Sequence, residues 1–236
     1  MSFGGMQLLP SFRAQLDPRF LAWYWTAFNN SRMLYGHWPV ECKNQDDGHY
    51  HRVVGLVNGQ PTVWNNTPCD QDLDDHTYGR NTNSCALALG GFSGATTSDL
   101  GPECATPAQI DLYVQVVAET ACVLRSPASN FMSHGEAADD VDQATDPSAR
   151  SIAAGAAYPA PWAPDPSPYG PLSTWERWDL HVWIDPVTRI LFPPKGGEIA
   201  QSALYLPDYV RGKAAMLIQE MTRKYWAPAQ PAGQAS

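Results

Sequence analysis

The chain has little positive charge and no long apolar segment. It carries 15 Lys and Arg against 24 Asp and Glu, which gives a formal net charge of −9. A nucleic-acid-binding protein is therefore not expected, because a phosphate backbone is bound by clustered basic side chains. No run of about 18 apolar residues occurs, so we also expect no membrane span. The first 20 residues lack the apolar core of a secretory signal, so we expect no signal peptide.

Several motifs of other protein classes are absent too. The five cysteines are an odd number without C-x-x-C spacing, which argues against a thiolate zinc cluster and leaves disulfide pairing open. The sequence contains no G-x-S-x-G elbow, no phosphate-binding P-loop and no H-E-x-x-H helix. What is present, 44% hydrophobic and 17% charged residues in a chain of 236, indicates one main globular domain with extensions.

Periodicity and turn signals predict strands followed by a helix. Strands are predicted at 20–28, 51–57, 60–64 and 84–89, with Asn58-Gly59 as a hairpin turn and 29–48 irregular. Thr106 and Gln109 form a capping-box pattern around Pro107, so a helix begins there. Another helix is predicted around 208–225. A helix packed on such a sheet gives an α/β or α+β layer arrangement.

The predicted domain boundaries follow changes in composition. An N-terminal extension (1–20) precedes a main domain (21–200), which includes a long Pro/Ala-rich loop (139–174). A C-terminal helix (201–226) and a flexible tail (227–236) follow. A loop as long as 139–174 is uncommon in a compact domain and is usually functional or disordered.

Two separated segments carry the residues that most suggest chemistry. His134 lies in Ser133–Asp139, and Asp179 lies in Arg177–Leu180. A histidine and an aspartate in small polar and aromatic settings suit a catalytic zinc site, which takes three protein ligands and leaves one position open. The other interpretation is that His134 ends a helix–strand connection and Asp179 pairs with Arg177. A third ligand would be expected upstream.

The order of short motifs between Trp23 and Trp183 adds a more specific indication. The motifs are Trp25-Thr26-Ala27, Tyr50-His51, His76-Thr77 with Arg80-Asn81, Ala86–Leu89, Thr106–Ile110, His134–Ala138 and Arg177–Leu180. In this order the chain resembles the zinc-dependent N-acetylmuramoyl-L-alanine amidases that share their fold with peptidoglycan recognition proteins. The resemblance implies an α/β fold with a central mixed β-sheet flanked by helices and a peptidoglycan-binding groove across one face.

The resemblance also implies a ligand set. His134 matches the second zinc ligand of the family and Asp179 the third, whereas Tyr24 stands where the family has its first histidine. A neutral phenol is a poor substitute for imidazole at pH 7. Three outcomes are then possible: zinc is absent, zinc is bound weakly by two ligands, or another histidine completes the ligand set. Candidates near the Tyr50-His51 match are His37, His49 and His51, and our prediction takes His51 as the metal ligand.

Further site residues are implied with less specific roles. Tyr50 matches a tyrosine near the metal that orients water or stabilises an oxyanion, although an ordinary strand aromatic is an equal interpretation. Glu136 is predicted to be catalytic, in proton transfer or as a group that supports a metal ligand, or else to be a solvated side chain, and the family gives it no firm role. The last sites match a loop that faces the glycan and stem peptide in the family: His76, Arg80 and Asn81.

These matches predict a zinc amidase that hydrolyses the bond between N-acetylmuramic acid and L-alanine, with peptidoglycan as its partner. The alternative is a degenerate amidase fold that acts as a peptidoglycan-binding or structural module. With no leader expected, the chain fits a wall-degrading component of a phage or phage-like virion that contacts tail or baseplate proteins. A cytoplasmic enzyme acting on soluble muropeptides is the other location that stays open.

Overall fold

The computed structural model describes residues 8–38, 49–73, 76–77, 81–92, 95–96, 98–136, 179–193 and 199–223. The predicted loop 139–174 and tail 227–236 lie outside these ranges, as does Arg80. The described part is an α/β arrangement of helices around a mixed five-stranded sheet with a smaller three-stranded sheet beside it. The predicted coarse fold class, a central mixed sheet flanked by helices, is thereby confirmed.

The central sheet combines parallel and antiparallel pairing. Its strands are β1 (Met33–His37), β2 (Arg52–Val57), β3 (Gln60–Asn65), β4 (Ser84–Leu89) and β5 (Phe131–Ser133), in the spatial order β3-β2-β4-β1-β5. Only the β2–β3 hairpin is antiparallel among these pairs; β1 runs parallel to both β4 and β5, and β2 runs parallel to β4. Every residue of β4 is buried, as expected of an inner strand covered on both faces.

The local turn and cap signals were predicted correctly. Asn58 and Gly59 both have positive φ (51° and 77°), which is the backbone of the expected two-residue hairpin turn between β2 and β3. Thr106 and Gln109 make the reciprocal capping-box hydrogen bonds, and the predicted helix runs over Pro107–Leu124. The second predicted helix covers Leu206–Thr222. These signals are short-range, so the sequence alone suffices to identify them.

The prediction of a strand at 20–28 is wrong. Two helices precede the sheet: α1 (Pro10–Arg13) and α2 (Pro18–Ala27). Asp17 caps the second one by accepting a hydrogen bond from the Arg19 amide, with Pro18 in the first helical position. Phe20, Tyr24 and Phe28 recur every four residues and are all buried, which is helical spacing. The first strand is instead β1, within the segment predicted to be irregular.

The longer helices cover the sheet, and residues 8–20 pack in the same core. We number them α3 (Pro107–Leu124) and α4 (Leu206–Thr222), and they pack against each other. Residues 8–20, predicted to be an extension, contribute four buried side chains to the same core: Leu8, Phe12, Leu16 and Phe20. Phe12 lies against Gly212 of α4 and packs edge-on against Tyr209. Residues 8–20 are thus part of the folded core.

The small sheet follows the last candidate ligand. Its strands are β6 (Trp183–Ile184), β7 (Leu191–Phe192) and β8 (Leu204–Tyr205), in the order β7-β6-β8 with antiparallel pairing. It holds the segment from residue 179 onward close to α4, since β8 leads directly into that helix. None of the helices in the described part of the chain combines the length and apolar character that a membrane span requires.

Candidate metal centre

The ends of two neighbouring parallel strands bring a pair of histidines together. Gly36 of β1 is in register with Ser133 of β5, and each is followed directly by a histidine, His37 and His134. Because the strands are parallel and adjacent, both side chains emerge at the same edge of the sheet. Their ring centroids are 4.8 Å apart. Strand pairing alone therefore explains why residues nearly a hundred positions apart meet.

Asp179 completes the cluster. Its Oδ2 accepts a hydrogen bond from the Trp38 backbone N–H at 3.1 Å, and its carbonyl accepts one from the Gly135 N–H at 3.3 Å. These bonds connect residue 179 to the positions directly after His37 and His134. The aspartate is fully buried. Backbone groups of both histidine segments thus fix the place of the carboxylate.

The three side chains have the composition and spacing of a metal site. Asp179 Oδ2 lies 3.3 Å from His134 Nδ1 and 3.9 Å from His37 Nδ1, and one ligand atom from each residue falls within 4.8 Å of the others. Zinc held tetrahedrally at about 2.0–2.1 Å places its ligand atoms about 3.4 Å apart. Two imidazoles and a carboxylate are also a ligand set that zinc accepts in catalytic sites. The residues present therefore fit a metal ion.

The electrostatics keep one ligand in its metal-binding form. His37 is 1% exposed, and burial, together with the neighbouring histidines His134, His76 and His51, lowers its pKa well below the usual value. A neutral imidazole has a free lone pair, which coordination requires. His134 is 17% exposed at its side chain, whereas His37 and Asp179 are buried. His134 is therefore the most exposed of the three side chains.

Glu136 holds the segment that carries His134. Its Oε2 accepts from the Ser133 N–H at 2.8 Å while the Ser133 hydroxyl accepts from the Glu136 N–H at 3.0 Å, which is a capping box at the start of a helical turn. Arg211 of α4 donates to both carboxylate oxygens at 3.0 Å and to Asp208. Burial raises the pKa of Glu136, and the Arg211 charge opposes that shift. Its side chain is fully buried and is not solvated.

Tyr24 and His51 lie elsewhere than the predicted ligand set requires. Tyr24 is inside α2, where its hydroxyl oxygen accepts a hydrogen bond from the Ala128 N–H. Burial raises its pKa further above the usual value. His51 accepts from the Ala86 N–H through Nδ1 (2.9 Å) and donates from Nε2 to the Gln71 carbonyl (2.8 Å), so both nitrogens are used by the backbone. The histidine beside His134 and Asp179 is His37.

The other predicted site residues are divided between the cluster and its support. Tyr50 is buried beside it, with its ring 5.2 Å from that of His37. His76 is also buried, and both of its ring nitrogens are hydrogen-bonded to neighbouring hydroxyls. Asn81 Oδ1 accepts from the backbone N–H groups of His76 and Thr77. His76 is therefore an internal side chain, and Asn81 Oδ1 holds the backbone of His76 and Thr77.

The sequence carries a signal for His37 that is absent from the prediction above. An apolar strand, Met33–His37, ends in histidine, as the segment before His134 does. The prediction of a strand at 20–28 drew the first ligand position to Tyr24. The Ser133-x-x-Glu136 spacing is likewise a readable capping-box pattern and would have assigned Glu136 a structural role.

Comparison of the chain with protein-family profiles, curated proteins and solved structures found no match. The family resemblance thus rests on the residues quoted above and stays a prediction.

Proposed function

We propose that the protein is a zinc-dependent amidase that hydrolyses the bond between N-acetylmuramic acid and L-alanine in peptidoglycan. The observation that carries the proposal is the convergence of His37, His134 and Asp179 at one edge of the sheet. A tetrahedral ion with three protein ligands keeps a fourth position for water or substrate, as catalytic zinc sites do. The choice of substrate comes from the motif order that resembles the amidase family.

In this proposal each residue of the site has a separate role. When bound, zinc supplies a Lewis acid that polarises a carbonyl and makes water nucleophilic near neutral pH. His37 and His134 would hold the ion through ring nitrogens, and the Asp179 carboxylate would offset part of its charge. Tyr50, beside His37, donates a hydrogen bond to the oxygen on which negative charge develops. Glu136 orients the segment of His134 through its capping box, and its carboxylate oxygens are held by Arg211 and Ser133.

The alternative function, a degenerate module that binds peptidoglycan without cleaving it, was based on Tyr24 in place of a ligand. His37 lies beside His134 and Asp179 and offers the imidazole that Tyr24 lacks, which favours the enzyme. The enzyme is therefore the better supported proposal. Association with a phage-like virion and its tail or baseplate proteins remains our proposal for its setting, with the cytoplasm as the alternative.

The test compares the natural chain with His37→Ala and Tyr24→Phe. Bound zinc is measured by elemental analysis of purified protein, and release of stem peptides from purified peptidoglycan is followed by mass spectrometry. We expect equimolar zinc and peptide release in the natural chain and in Tyr24→Phe. His37→Ala should lose both, with zinc affinity falling by more than the about 100-fold that an outer-shell change produces.

The controls separate the outcomes. Tyr24→Phe removes the hydroxyl that accepts from Ala128, so it should cost about 1–3 kcal/mol of stability without affecting zinc. Zinc binding without peptide release would support the binding module and overturn the enzyme proposal. Zinc lost in Tyr24→Phe but retained in His37→Ala would contradict the assignment of the first ligand.

A further inference from the structure

A chain of buried hydrogen bonds leads away from the candidate metal centre on the side of His37. It runs from His37 Nε2 to Thr77 Oγ1 (3.3 Å), from Thr77 Oγ1 to His76 Nδ1 (2.8 Å), and from His76 Nε2 to Ser84 Oγ (3.1 Å). The Ser84 hydroxyl then bonds the Asn81 carbonyl at 2.6 Å. All four side chains are at most 6% exposed. Water therefore has little access to replace any of these partners.

The far end of the chain fixes the direction of every bond in it. A backbone carbonyl only accepts, so the single proton of the Ser84 hydroxyl is donated to Asn81. Ser84 must then accept from His76, which places the His76 proton on Nε2. If the proton were on Nδ1 instead, His76 Nε2 and Ser84 Oγ would face each other with lone pairs only. That arrangement would leave a buried acceptor without a donor, at a cost of about 1–3 kcal/mol.

The donor and acceptor of each remaining bond, up to the candidate ligand His37, follow in the same way. With its proton on Nε2, His76 has a lone pair on Nδ1 and accepts from the Thr77 hydroxyl. The Thr77 proton is then committed, so Thr77 accepts from His37 Nε2–H. A neutral imidazole with its proton on Nε2 carries its lone pair on Nδ1. His37 Nδ1 is the nitrogen that faces Asp179 Oδ2 at 3.9 Å.

We propose that Ser84, His76 and Thr77 are positioning residues that hold His37 in the Nε2–H tautomer, with Nδ1 prepared to bind the metal. The partner of the non-coordinating nitrogen sets both the tautomer and the orientation of a metal-binding histidine. Here that partner is a threonine, itself oriented by a neutral histidine and a serine. This inference concerns the metal site of the proposed enzyme, but its first test requires neither zinc nor substrate.

The first measurement is the tautomer of His37 and His76 in metal-free protein. Histidine-labelled ¹⁵N protein is stripped with chelator at pH 7.5, and long-range ¹H–¹⁵N correlation identifies the protonated nitrogen of each ring. The loss of signals in His37→Asn and His76→Gln assigns the two rings. We expect both to be Nε2–H. An Nδ1–H tautomer, or a mixture, at either ring in the natural chain would overturn the proposal even if the protein proved to be an active amidase.

The second measurement tests whether this series of hydrogen bonds affects metal binding. Zinc affinity is determined by competition with a chromophoric chelator for Thr77→Val and Thr77→Ser. Valine has nearly the shape of threonine without its hydroxyl, so we expect affinity to fall about 10–100-fold. Serine restores the hydroxyl and should bring the affinity back to within about three-fold of the natural chain. Loss of affinity in both variants, or in neither, would contradict the proposal.

Thr120→Val is the matched control. Thr120 is also a buried threonine, and its hydroxyl accepts a hydrogen bond from Arg52 at 3.0 Å. It lies on α3 and takes no part in the hydrogen bonds that lead to His37. Its replacement should lower stability without changing zinc affinity or the His37 tautomer. An equal loss of zinc affinity in Thr120→Val and Thr77→Val would show a general effect of destabilisation and overturn the positioning role. If Thr77→Val does not fold, the tautomers of His37 and His76 in the natural protein still test the proposal.

Discussion

At the residue scale, the candidate centre depends on a position without a side chain. A methyl group on Gly36 would lie 2.5 Å from Leu180 Cδ1, 2.6 Å from Phe131 Cζ and 2.8 Å from the Tyr113 hydroxyl. Phe131 belongs to β5 and Tyr113 to α3, and Leu180 precedes β6. Leu180 directly follows Asp179, and Gly36 directly precedes His37. The missing side chain is what lets the two ligand segments approach each other.

We therefore predict that Gly36→Ala weakens metal binding as well as the fold. The added methyl must displace Leu180, which moves Asp179, so zinc affinity should fall by about 10-fold or more. Overpacking should cost about 1–3 kcal/mol of unfolding free energy. Chelator competition and urea denaturation measure the two effects.

Gly59→Ala provides the control for that variant. Gly59 has a φ of +77° with nothing within 4 Å of an added methyl, so alanine strains the hairpin turn by about 1–2 kcal/mol. Its zinc affinity should be unchanged. If the two alanine variants bind zinc equally well, the close approach at Gly36 has no effect on the site.

The candidate ligands themselves were predictable to different degrees. His134 and Asp179 stood in recognisable motifs, whereas His37 was one of three upstream candidates and His51 was preferred. Sequence order could not distinguish His37 from His51, because His51 also lies next to the central sheet and is buried. The decision depends on which strand pairs with β5, and that pairing is a long-range contact. Local patterns carry no information about it.

At the element scale, α4 anchors the turn that presents His134. Arg211 is buried between Glu136 and Asp208 and is hydrogen-bonded to both carboxylates. Removing a buried cation leaves its carboxylates uncompensated in a medium that solvates charge poorly. The stability of this element pair should thus be far more sensitive to Arg211 than to any surface ion pair.

Arg211→Met should destabilise the protein by about 3–5 kcal/mol, because Glu136 and Asp208 lose their shared partner. Arg189→Met is the matched comparison: Arg189 pairs with Asp111 at 3.1 Å, and both side chains are more than a third exposed. That surface pair should contribute about 0–1 kcal/mol. Urea denaturation of both variants gives the difference, and similar losses would mean that the buried network contributes no more than a surface pair.

The error at α2 shows where element prediction failed. Its sequence is rich in aromatic residues, which favour strands, and the prediction did not consider Asp17-Pro18, which starts the helix. Burial at every fourth position becomes visible only when the core partners of Phe20 and Tyr24 are known. The hairpin and α3 were predicted because their signals are contained in a few neighbouring residues. The short strands β5 to β8 offer too few residues for any periodicity.

At the scale of the whole molecule, buried neutral histidines make stability dependent on pH. Burial, with the nearby His51 and His134, lowers the pKa of His76 from 6.5 to about 3, and burial also lowers the pKa of His51. In the unfolded chain these rings bind protons below about pH 6.5, whereas the folded protein keeps them neutral. The unfolded state therefore binds more protons in that range, and stability falls as the pH is lowered.

Metal-free protein should accordingly lose about 2 kcal/mol of unfolding free energy between pH 7 and pH 5 from His76 alone. Urea denaturation in the presence of chelator measures the loss, and His76→Gln should show a shallower dependence over the same interval. The variant serves as the control because it removes one titrating group while the carboxylates remain. The same slope in both proteins would mean that His76 is not held neutral in the fold.

The contact between Arg211 and Glu136 has a consequence for biosynthesis. The two residues are 75 positions apart, and Arg211 comes second. A growing chain thus contains His37, His134 and Asp179 before it contains the guanidinium that neutralises Glu136. A product of premature termination before α4 would hold all three ligands but leave Glu136 without Arg211. The activity proposed for the protein should therefore appear only after α4 has been synthesised.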